Sequence, residues 1–413
     1  MKKLLTSLLL FCFFSTLSFA QSELDCNGVR YIDDVFVDIK KTTVTYGENT
    51  TATGANQVLE MDIYEPEGDD AVMRPAIILA FGGSFIFGQR NDMKTYCEAF
   101  ARKGYVAATI DYRLYPLILG LPDSLEMTDE VVKAVSDMKA SVRHLRLDAA
   151  TSNTFKIDPN NIFVGGLSAG AITALHTAYM DINDDFPQYV LDAIDANGGI
   201  DGDTGSDDNK SYSSKVSGVL NLSGGLQNAE LIDAGEVPLA SIHGTNDGTV
   251  PFSSGIANGI LFIDGSSVLH NRAEAEGVDN YFKPVEGGGH TNFYIDPAFG
   301  ADLAEFYLNM YGFFHEIICP DVQVSTEQID VSAQVNIFPN PSFDKMEINF
   351  EGINETYNVR IFDQLGRTID TRFNQTDSIF ILEKEKIGTG MFFVNILFED
   401  ESIAPLTKRI VFK

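Results

Sequence analysis

The sequence is poor in positive charge. Its 413 residues hold 29 lysines and arginines against 59 aspartates and glutamates, so the formal net charge is −30 at pH 7. Nucleic acids and anionic membrane surfaces bind proteins through clusters of basic side chains, and the shortage of such side chains argues against both as partners. We expect a soluble protein that acts on a neutral or cationic substrate.

The apolar run at the N-terminus is short for a membrane span. Two lysines precede residues 8–14, and Ser18 and Ala20 are small residues at the two positions that a signal peptidase reads. This pattern predicts a signal peptide over residues 1–20 rather than a retained anchor, so no transmembrane segment would remain after cleavage. Removing the two lysines would take the net charge from −30 to −32.

Cysteine is scarce. One of the four lies in the predicted signal peptide, which leaves Cys26, Cys97 and Cys319. Export to an oxidising compartment allows disulfides to form. Cys26 and Cys319 lie near the two ends of the main domain, and we hypothesise that they pair. Cys97 lies within a helical pattern, which predicts a buried free thiol.

Buried strands alternate with helices over most of the chain. Continuous apolar runs, typical of strands buried on both faces, occupy residues 75–81, 105–110, 161–164, 216–222 and 237–243. Helical patterns occupy residues 93–103, about 124–147 with Ser124 as N-cap, and about 302–314. The alternation predicts an α/β fold with a mostly parallel sheet covered by helices on both faces.

The character of the sequence changes after Cys319. No helical period recurs there, and short runs of alternating apolar and polar residues are separated by turn residues. We predict a catalytic domain over residues 21–320, a linker over residues 321–334 and a small all-β sandwich over residues 335–413. One alternative for the role of this sandwich is a carbohydrate-binding or spacer module, but no stacked aromatic platform is evident and tryptophan is absent from the whole chain.

The main candidate for chemistry is a serine in a tight turn. Gly166, Ser168 and Gly170 form a G-x-S-x-G pattern between an apolar strand and a helix-like run. This is the pattern of a nucleophile elbow, in which small flanking residues let the backbone close beneath an exposed serine. Serine needs a base to take its proton and a carboxylate to orient that base.

We place His290 first as the base and Asp247 first as the carboxylate. His290 follows three glycines after a predicted strand over residues 280–285, and Asp247 lies at the tip of a strand-to-loop transition, so the chain order is Ser, Asp, His. The competing histidines are His144 and His176 in helical patterns, His243 as a support for the Asp247 loop, and His270 and His315. The competing acids are Asp111, Asp233 and Asp264.

Backbone N–H groups can stabilise the oxyanion of an acyl-transfer intermediate. Ala169 offers one N–H at the start of the helix behind the elbow, where the helix dipole adds to the field. Gly83 and Ser84, in the loop after the apolar run over residues 75–81, are expected to supply the others.

A polar insertion lies over residues 181–215, with nine acidic residues and two lysines. Asp195, Asn197, Asp201 and Asp203 raise the alternative of a metal loop, but the glycine that an EF-hand requires is missing. We interpret the insertion as a solvated cap or loop beside the active site, and expect no metal or cofactor.

Residues 30–315 resemble the α/β-hydrolases, in particular the carboxylesterases related to hormone-sensitive lipase and to feruloyl and acetylxylan esterases. The matching strings are Phe81-Gly82-Gly83-Ser84-Phe85, Asp111-Tyr112-Arg113, Gly166-Leu167-Ser168-Ala169-Gly170, His243-Gly244-Thr245-Asn246-Asp247 and Gly289-His290. The resemblance implies Ser168 as nucleophile, Asp247 as acid and His290 as base. The oxyanion loop of the family usually reads His-Gly-Gly-Gly, so Phe81 and Ser84 are departures that bear on the loop's support and on the acyl pocket.

The C-terminal part resembles the sorting domains of the type IX secretion system. The matching strings are residues 336–341, 357–367 and 390–393 and the basic end over residues 408–413. The resemblance implies that the secretion machinery is a partner, that export runs through the periplasm of a gram-negative bacterium, and that the mature protein is secreted or attached to the cell surface.

These features together predict a secreted serine carboxylesterase that works through an acyl-enzyme. The secreted setting suggests acetyl or feruloyl esters linked to polysaccharides as substrates. A serine exopeptidase of the same fold and a catalytically inert surface adhesin are the alternatives.

Overall fold

The computed structural model describes residues 24–26, 30–320, 331–353, 355–363, 368–400, 403 and 406–413. The predicted signal peptide and residues 321–330 of the predicted linker lie outside these ranges. In the described part, the buried apolar side chains form a large cluster between Tyr31 and Cys319 and a second cluster between Val331 and Phe412. No helix within these ranges has both the length and the hydropathy that a membrane crossing requires.

The N-terminal part is built around a mixed sheet. Its strands in chain order are β1 (Ile39–Thr50), β2 (Asn56–Pro66), β3 (Arg74–Ala80), β4 (Val106–Ile110), β5 (Ile157–Leu167), β6 (Val219–Leu222), β7 (Gly225–Leu226), β8 (Leu239–Gly244), β9 (Ser254–Ala257), β10 (Leu261–Gly265) and β11 (Asn280–Val285). The helices are α1 (Lys94–Arg102), α2 (Ser124–Ala150), α3 (Ala169–Tyr179), α4 (Gln188–Ala196), α5 (Ser266–Glu276) and α6 (Gly300–Ile318).

Eight of the described strands form one sheet in the order β1-β2-β4-β3-β5-β6-β8-β11. β1 and β2 are antiparallel at one edge, and the other six strands of this sheet run parallel to one another. Every residue of β3, β4, β6 and β8 is buried. Because successive side chains of a strand point to opposite faces, the sheet must be covered on both sides. The predicted α/β fold is confirmed.

The N-cap of α2 differs from the prediction. The cap is Asp123 rather than Ser124, because the Asp123 carboxylate accepts hydrogen bonds from the backbone N–H groups of Leu125 and Glu126. The Glu126 side chain in turn accepts from the Asp123 N–H, which completes a capping box. The helix therefore begins at Ser124, one residue after its cap.

Most residues of the insertion over residues 181–215 are exposed, as its composition predicts, but some of them are buried against the rest of the protein. The insertion contains α4, and its second half is anchored on α2 by buried polar contacts. Thr204 is fully buried and donates a hydrogen bond to Asp137, while Arg113 donates to both of them. The polar residues of this segment satisfy polar groups of α2, which a composition count cannot distinguish from solvation.

Three of the four side chains raised as alternative metal ligands have protein partners. Asp203 accepts a hydrogen bond from Asn49 at 2.6 Å, and Asp201 accepts one from Ser214 at 2.8 Å. Asn197 donates its amide to Asp129 at 2.7 Å. These contacts give the cluster a structural role in fixing the insertion.

Cys26 and Cys319 form a disulfide, as hypothesised, and Cys97 is a buried free thiol. The bridge joins residues separated by 293 positions and so ties the start of the catalytic part to the end of α6. A cross-link over a long loop restricts the unfolded chain strongly.

Replacing both Cys26 and Cys319 by serine is expected to lower the free energy of unfolding by about 2–5 kcal/mol. The melting temperature of the oxidised protein should fall by roughly 5 °C or more. Differential scanning fluorimetry with and without a reducing agent measures this. The reductant should lower the melting temperature of the unsubstituted protein and leave the double variant unchanged, and an equal shift in both proteins would contradict the prediction.

The C-terminal part consists of β12 (Val335–Phe338), β13 (Lys345–Phe350), β14 (Tyr357–Phe362), β15 (Thr368–Gln375), β16 (Ile379–Glu383), α7 (Lys384–Ile387), β17 (Gly390–Phe398) and β18 (Leu406–Phe412). Antiparallel pairing orders the strands as β12-β13-β16 in one sheet and β15-β14-β17-β18 in the other. Ile348 from the first sheet and Val394 and Ile396 from the second belong to the same apolar cluster. Two sheets that share one core make the predicted sandwich.

Candidate active site

Ser168 lies in a strained turn between β5 and α3. Its backbone has φ 56° and ψ −118°, a left-handed conformation that a residue with a side chain seldom adopts. A Cβ atom on Gly170 would lie 2.0 Å from the carbonyl oxygen of Ala80, and one on Gly166 would lie 2.4 Å from the Gly170 carbonyl carbon. The two glycines are therefore sterically required, and the turn presents the Ser168 side chain beyond the end of β5.

The structure brings Ser168, His290 and Asp247 into one hydrogen-bonded chain. The Oγ of Ser168 is 2.7 Å from Nε2 of His290, and Nδ1 of His290 is 2.7 Å from Oδ2 of Asp247. The three residues follow β5, β11 and β8, which end at the same edge of the parallel sheet. This geometry is that of a nucleophile, a base and an orienting carboxylate.

The protonation states follow from the acceptors. Burial alone would raise the pKa of Asp247, but the hydrogen bonds from His243 and His290 hold that pKa well below its ordinary value. The ionised carboxylate can only accept, so His290 must donate through Nδ1. In the neutral imidazole, Nε2 is then free to accept the Ser168 hydroxyl proton.

His243 also contacts the Asp247 carboxylate. Its Nε2 lies 3.1 Å from Oδ2 of Asp247, and its Nδ1 lies 2.7 Å from the hydroxyl of Ser266. The sequence indicated only that His243 supports the shape of this loop, and the structure shows that it does so through the carboxylate itself. The backbone N–H groups of Thr249 and Val250 donate to the other oxygen, so Asp247 is held from several sides.

The competing histidines lie elsewhere, with His144 on α2, His176 on α3, His270 on α5 and His315 on α6. His176 is buried, with Nδ1 2.7 Å from the Ile172 carbonyl oxygen and Nε2 accepting the Gln227 N–H. Burial lowers the pKa of His176 to about 4, so the ring is neutral at pH 7. Its contacts make it a satisfied core residue, as the sequence indicated.

The competing acids have structural partners. Asp111 forms an ion pair with Arg90, Asp233 pairs with Arg272, and Asp264 accepts hydrogen bonds from Ser254 and the Ala229 N–H. Within the described residues, none of the three carboxylates hydrogen-bonds to His290. Asp247 is the carboxylate that the structure places against this imidazole.

The oxyanion loop after β3 packs directly against the elbow. A Cβ atom on Gly82 would lie 3.2 Å from Cβ of Ser168, and Gly83 has φ +130°, which favours glycine. Asn258 fixes the loop from the other side by donating its amide to the Ser84 hydroxyl at 2.9 Å. The described part of the chain offers no acceptor to the N–H groups of Gly83, Ser84 and Ala169, which leaves them available to a ligand.

Phe81 supports this loop from inside the protein. Its ring is buried and stacks on Tyr112 with 4.4 Å between centroids, and the Tyr112 hydroxyl donates to the Phe81 carbonyl at 2.8 Å. A Cβ atom on Gly88 would lie 2.4 Å from the Phe81 ring, so the loop closes tightly around it. Phe81 therefore supports the loop from beneath, while Phe85 and Phe87 line a cavity beside Ser168.

A cavity of about 220 Å³ lies beside Ser168, and we call it the catalytic pocket. Ser84 and Ala169 contribute to its wall next to Ser168, and most of the remaining wall is apolar, including Phe85, Met127 and Ile172. The pocket contains no charged side chain in its described wall. Such a site suits an uncharged apolar group attached to a reacting carbonyl.

Comparison with known protein families identifies both parts of the chain. Residues 61–230 match the family model described as BD-FAE, and residues 336–413 match the model of the secretion system C-terminal sorting domain. The chain carries a BD-FAE domain and a secretion sorting domain. The sorting domain shows that the protein is secreted or attached to the cell surface of a gram-negative bacterium. Asp247 and His290 lie beyond the BD-FAE match, so their assignment depends on the geometry described above.

Solved structures with similar folds include esterases. Esterase 2 of Thermogutta terrifontis phosphorylated by paraoxon is 22% identical, with a TM-score of 0.47, and the match covers 68% of this chain and 94% of that chain. The propionate-bound form is 21% identical, with a TM-score of 0.45, and the match covers 66% of this chain and 92% of that chain.

Among curated proteins, the chain is similar to a non-reducing polyketide synthase of Penicillium brasilianum. The two are 28% identical over 145 residues, which is 34% of this chain. The chain spans about 5% of the length of that curated relative.

Proposed function

We propose that this protein is a secreted serine carboxylesterase. The observation that carries the proposal is the chain of 2.7 Å contacts from Ser168 through His290 to Asp247. Backbone N–H groups without protein acceptors lie beside it in the described structure. A nucleophile, a base, an orienting carboxylate and an oxyanion site are the parts that acyl transfer needs. The BD-FAE match supports an ester as the substrate.

In the acylation step, Ser168 Oγ attacks the ester carbonyl carbon while its proton passes to His290 Nε2. The electron pair of the carbonyl moves onto its oxygen, and the N–H groups of Gly83, Ser84 and Ala169 stabilise that charge. Asp247 keeps the imidazolium oriented and balances its charge. The intermediate collapses, the bond to the alcohol oxygen breaks, and the alcohol leaves with the proton from Nε2.

In the deacylation step, water repeats the attack on the acyl-enzyme. His290 takes a proton from the water, the new bond forms at the carbonyl carbon, and Ser168 leaves with the proton as its hydroxyl is restored. The net reaction consumes one ester and one water and yields an acid and an alcohol. No metal or cofactor takes part in these steps.

The substrate proposal combines the setting with the pocket. Export and the sorting domain place the enzyme outside the cell, where ester groups on polysaccharides, such as acetyl and feruloyl groups, are accessible. The type IX secretion machinery is the proposed partner during export. The uncharged wall of the catalytic pocket favours a neutral acyl group, since a charged group would lose its hydration there.

Labelling with a fluorophosphonate probe tests the proposed nucleophile. The probe should react stoichiometrically with the folded protein, and peptide mapping should place the adduct on Ser168. A His290→Ala variant should label far more slowly because its serine lacks a base. His144→Ala removes a histidine that lies away from the site and should label like the unsubstituted protein. An unlabelled folded protein would favour the inert adhesin, and an adduct on another serine would refute the site.

A further inference from the structure

A second apolar cavity of about 400 Å³ adjoins the catalytic pocket, and we call it the distal cavity. Its wall combines the start of α2, represented by Leu125 and Val131, with Val190 of α4 and Phe262 of β10. α4 belongs to the insertion over residues 181–215. The insertion, predicted as a solvated cap or loop beside the active site, therefore contributes α4 to the wall of this cavity.

The two cavities share a wall. Ile172, Ile260, Leu261 and Ile263 line both of them. Ile172 lies one turn after Ser168 on α3, and its N–H donates to the Ser168 carbonyl at 2.9 Å. A group that starts at the nucleophile and passes these side chains would enter the distal cavity.

The positions of the proposed catalytic groups determine whether the acyl group or the alcohol group of an ester points toward the distal cavity. The leaving alcohol must lie next to His290, because Nε2 returns the proton to it. Ser84 and Ala169, which carry proposed oxyanion donors, line the catalytic pocket, and His290 is not part of the described wall of that pocket. The alcohol therefore leaves on the His290 side, and the acyl group extends into the catalytic pocket.

Size and chemistry show what the distal cavity can hold. The catalytic pocket of about 220 Å³ is below the roughly 300 Å³ at which pockets for drug-sized ligands begin, whereas the distal cavity of about 400 Å³ is above it. The described wall of the distal cavity contains no charged side chain. His176 in that wall is neutral at pH 7, because burial lowers its pKa to about 4 and both ring nitrogens have backbone partners.

The distal cavity opens to solvent through apolar side chains. Leu125, Tyr189 and Phe262 line it and are still 58%, 43% and 58% exposed. Exposed apolar side chains gathered at one opening indicate a binding site, because their exposure costs free energy in the unoccupied protein. An apolar chain could enter through this opening.

We propose that the distal cavity binds the far end of an extended apolar acyl group, so that the enzyme prefers esters of medium-chain acids to acetate esters. This inference rests on the proposed esterase function, and it disfavours acetyl groups among the substrates considered there. An acetyl group would occupy only the catalytic pocket, whereas a longer chain would pass Ile172 and gain contacts with Val131 and Val190. Each additional buried methylene strengthens transition-state binding in such a pocket.

The test compares p-nitrophenyl octanoate with p-nitrophenyl acetate, using full-length protein. The ratio of kcat/KM for octanoate to that for acetate should exceed one. Val131→Trp fills the distal cavity and should lower this ratio by about tenfold or more, since one methylene is worth about 10-fold or more in a hydrophobic pocket. Val190→Trp fills the cavity from α4 and provides a second variant if the first does not fold.

Val58→Trp is the matched control, because Val58 is exposed on β2 and away from both cavities, so this ratio should not change. A ratio that stays the same in both cavity-filling variants would overturn the proposal, as would a ratio below one in the unsubstituted protein. The proposal would also be overturned if the variants changed the ratio of kcat/KM for octyl acetate to that for ethyl acetate and left the ratio for octanoate to acetate unchanged. Such a result would place the alcohol in the distal cavity. Loss of the esterase function itself would appear differently, as no serine-dependent hydrolysis of either p-nitrophenyl ester.

Discussion

Ser168→Ala is expected to lower kcat for p-nitrophenyl butyrate by about 10⁴–10⁶-fold while the protein stays folded. The substitution removes the oxygen that forms the acyl-enzyme and leaves His290 and Asp247 without a nucleophile to activate. Residual hydrolysis would come from the oxyanion site and from substrate binding alone. Steady-state kinetics with active-site titration of the unsubstituted enzyme measures the change.

Ser253→Ala serves as the control for this substitution. Ser253 is exposed, and its carbonyl, which accepts from Gly265, remains in the variant. Its kcat should match that of the unsubstituted protein within about twofold, because surface substitutions away from special features rarely perturb a protein. If Ser168→Ala retained a tenth of the activity, with unchanged circular dichroism and melting temperature, Ser168 could not be the nucleophile.

Asp247→Asn should lower kcat by about 10⁴-fold with little change in the fold. The carbonyl oxygen of the introduced amide can still accept from Thr249 and Val250, but its NH₂ group then faces His290 and donates. Nδ1 of His290 must then accept from that NH₂ group, which favours the tautomer with the proton on Nε2. Nε2 in this tautomer cannot accept a proton from Ser168. The pKa of Asp247 is held well below its ordinary value, so the substitution also removes a full negative charge at pH 7.

Asp233→Asn is the matched control. Asp233 is one of the alternative carboxylates considered from the sequence, and it is exposed and pairs with Arg272 at the surface. Its kcat should stay within about twofold, because exposed ion pairs contribute little. The comparison of kcat with KM tests a catalytic role for Asp247, since such a role lowers kcat and leaves KM almost unchanged, whereas weaker substrate binding raises KM. A loss of activity after Asp233→Asn as large as that after Asp247→Asn would refute the choice of carboxylate.

The sequence predicted the elbow well because its causes are local. Gly166 and Gly170 flank Ser168 within five residues, and a Cβ atom on Gly166 would lie 2.4 Å from the carbonyl carbon of Gly170. The α/β fold could be predicted because fully apolar strands and helical patterns report burial through their periodicity. Asp247 and His290 could be predicted for a related reason. Parallel strands end at the same edge of a sheet, so the loops that follow them lie close together.

Other parts of the site could not be predicted, because they arise from contacts between distant segments. Asn258 reaches Ser84 from a hairpin 174 positions later, and His243 shares the Asp247 carboxylate with His290. Phe81 stands where the expected loop pattern has histidine, but only the structure shows that its ring stacks on Tyr112. A residue type identifies a donor or an apolar ring, and folding determines its partner.

The composition of the insertion over residues 181–215 also does not predict which of its residues are buried. Its acidic composition favours exposure, yet Thr204 is fully buried and Val190 lines a cavity. Buried polar residues are stable when partners satisfy them, and here Asp137 and Arg113 on other segments do so. Composition averages over a segment, whereas burial is decided residue by residue through tertiary contacts.

By itself, the sequence determined the α/β class, the sandwich after Cys319, the strained turn at Ser168 and the order of the three candidate catalytic residues. These depend on periodicity, on backbone sterics and on the position of a residue after a strand, all of which are written locally. Only the tertiary structure decided the 2.7 Å contacts between Ser168, His290 and Asp247 and the pair of cavities that meet at Ile172. Distances between segments and the space between them depend on how all elements pack at once, which no stretch of sequence specifies alone.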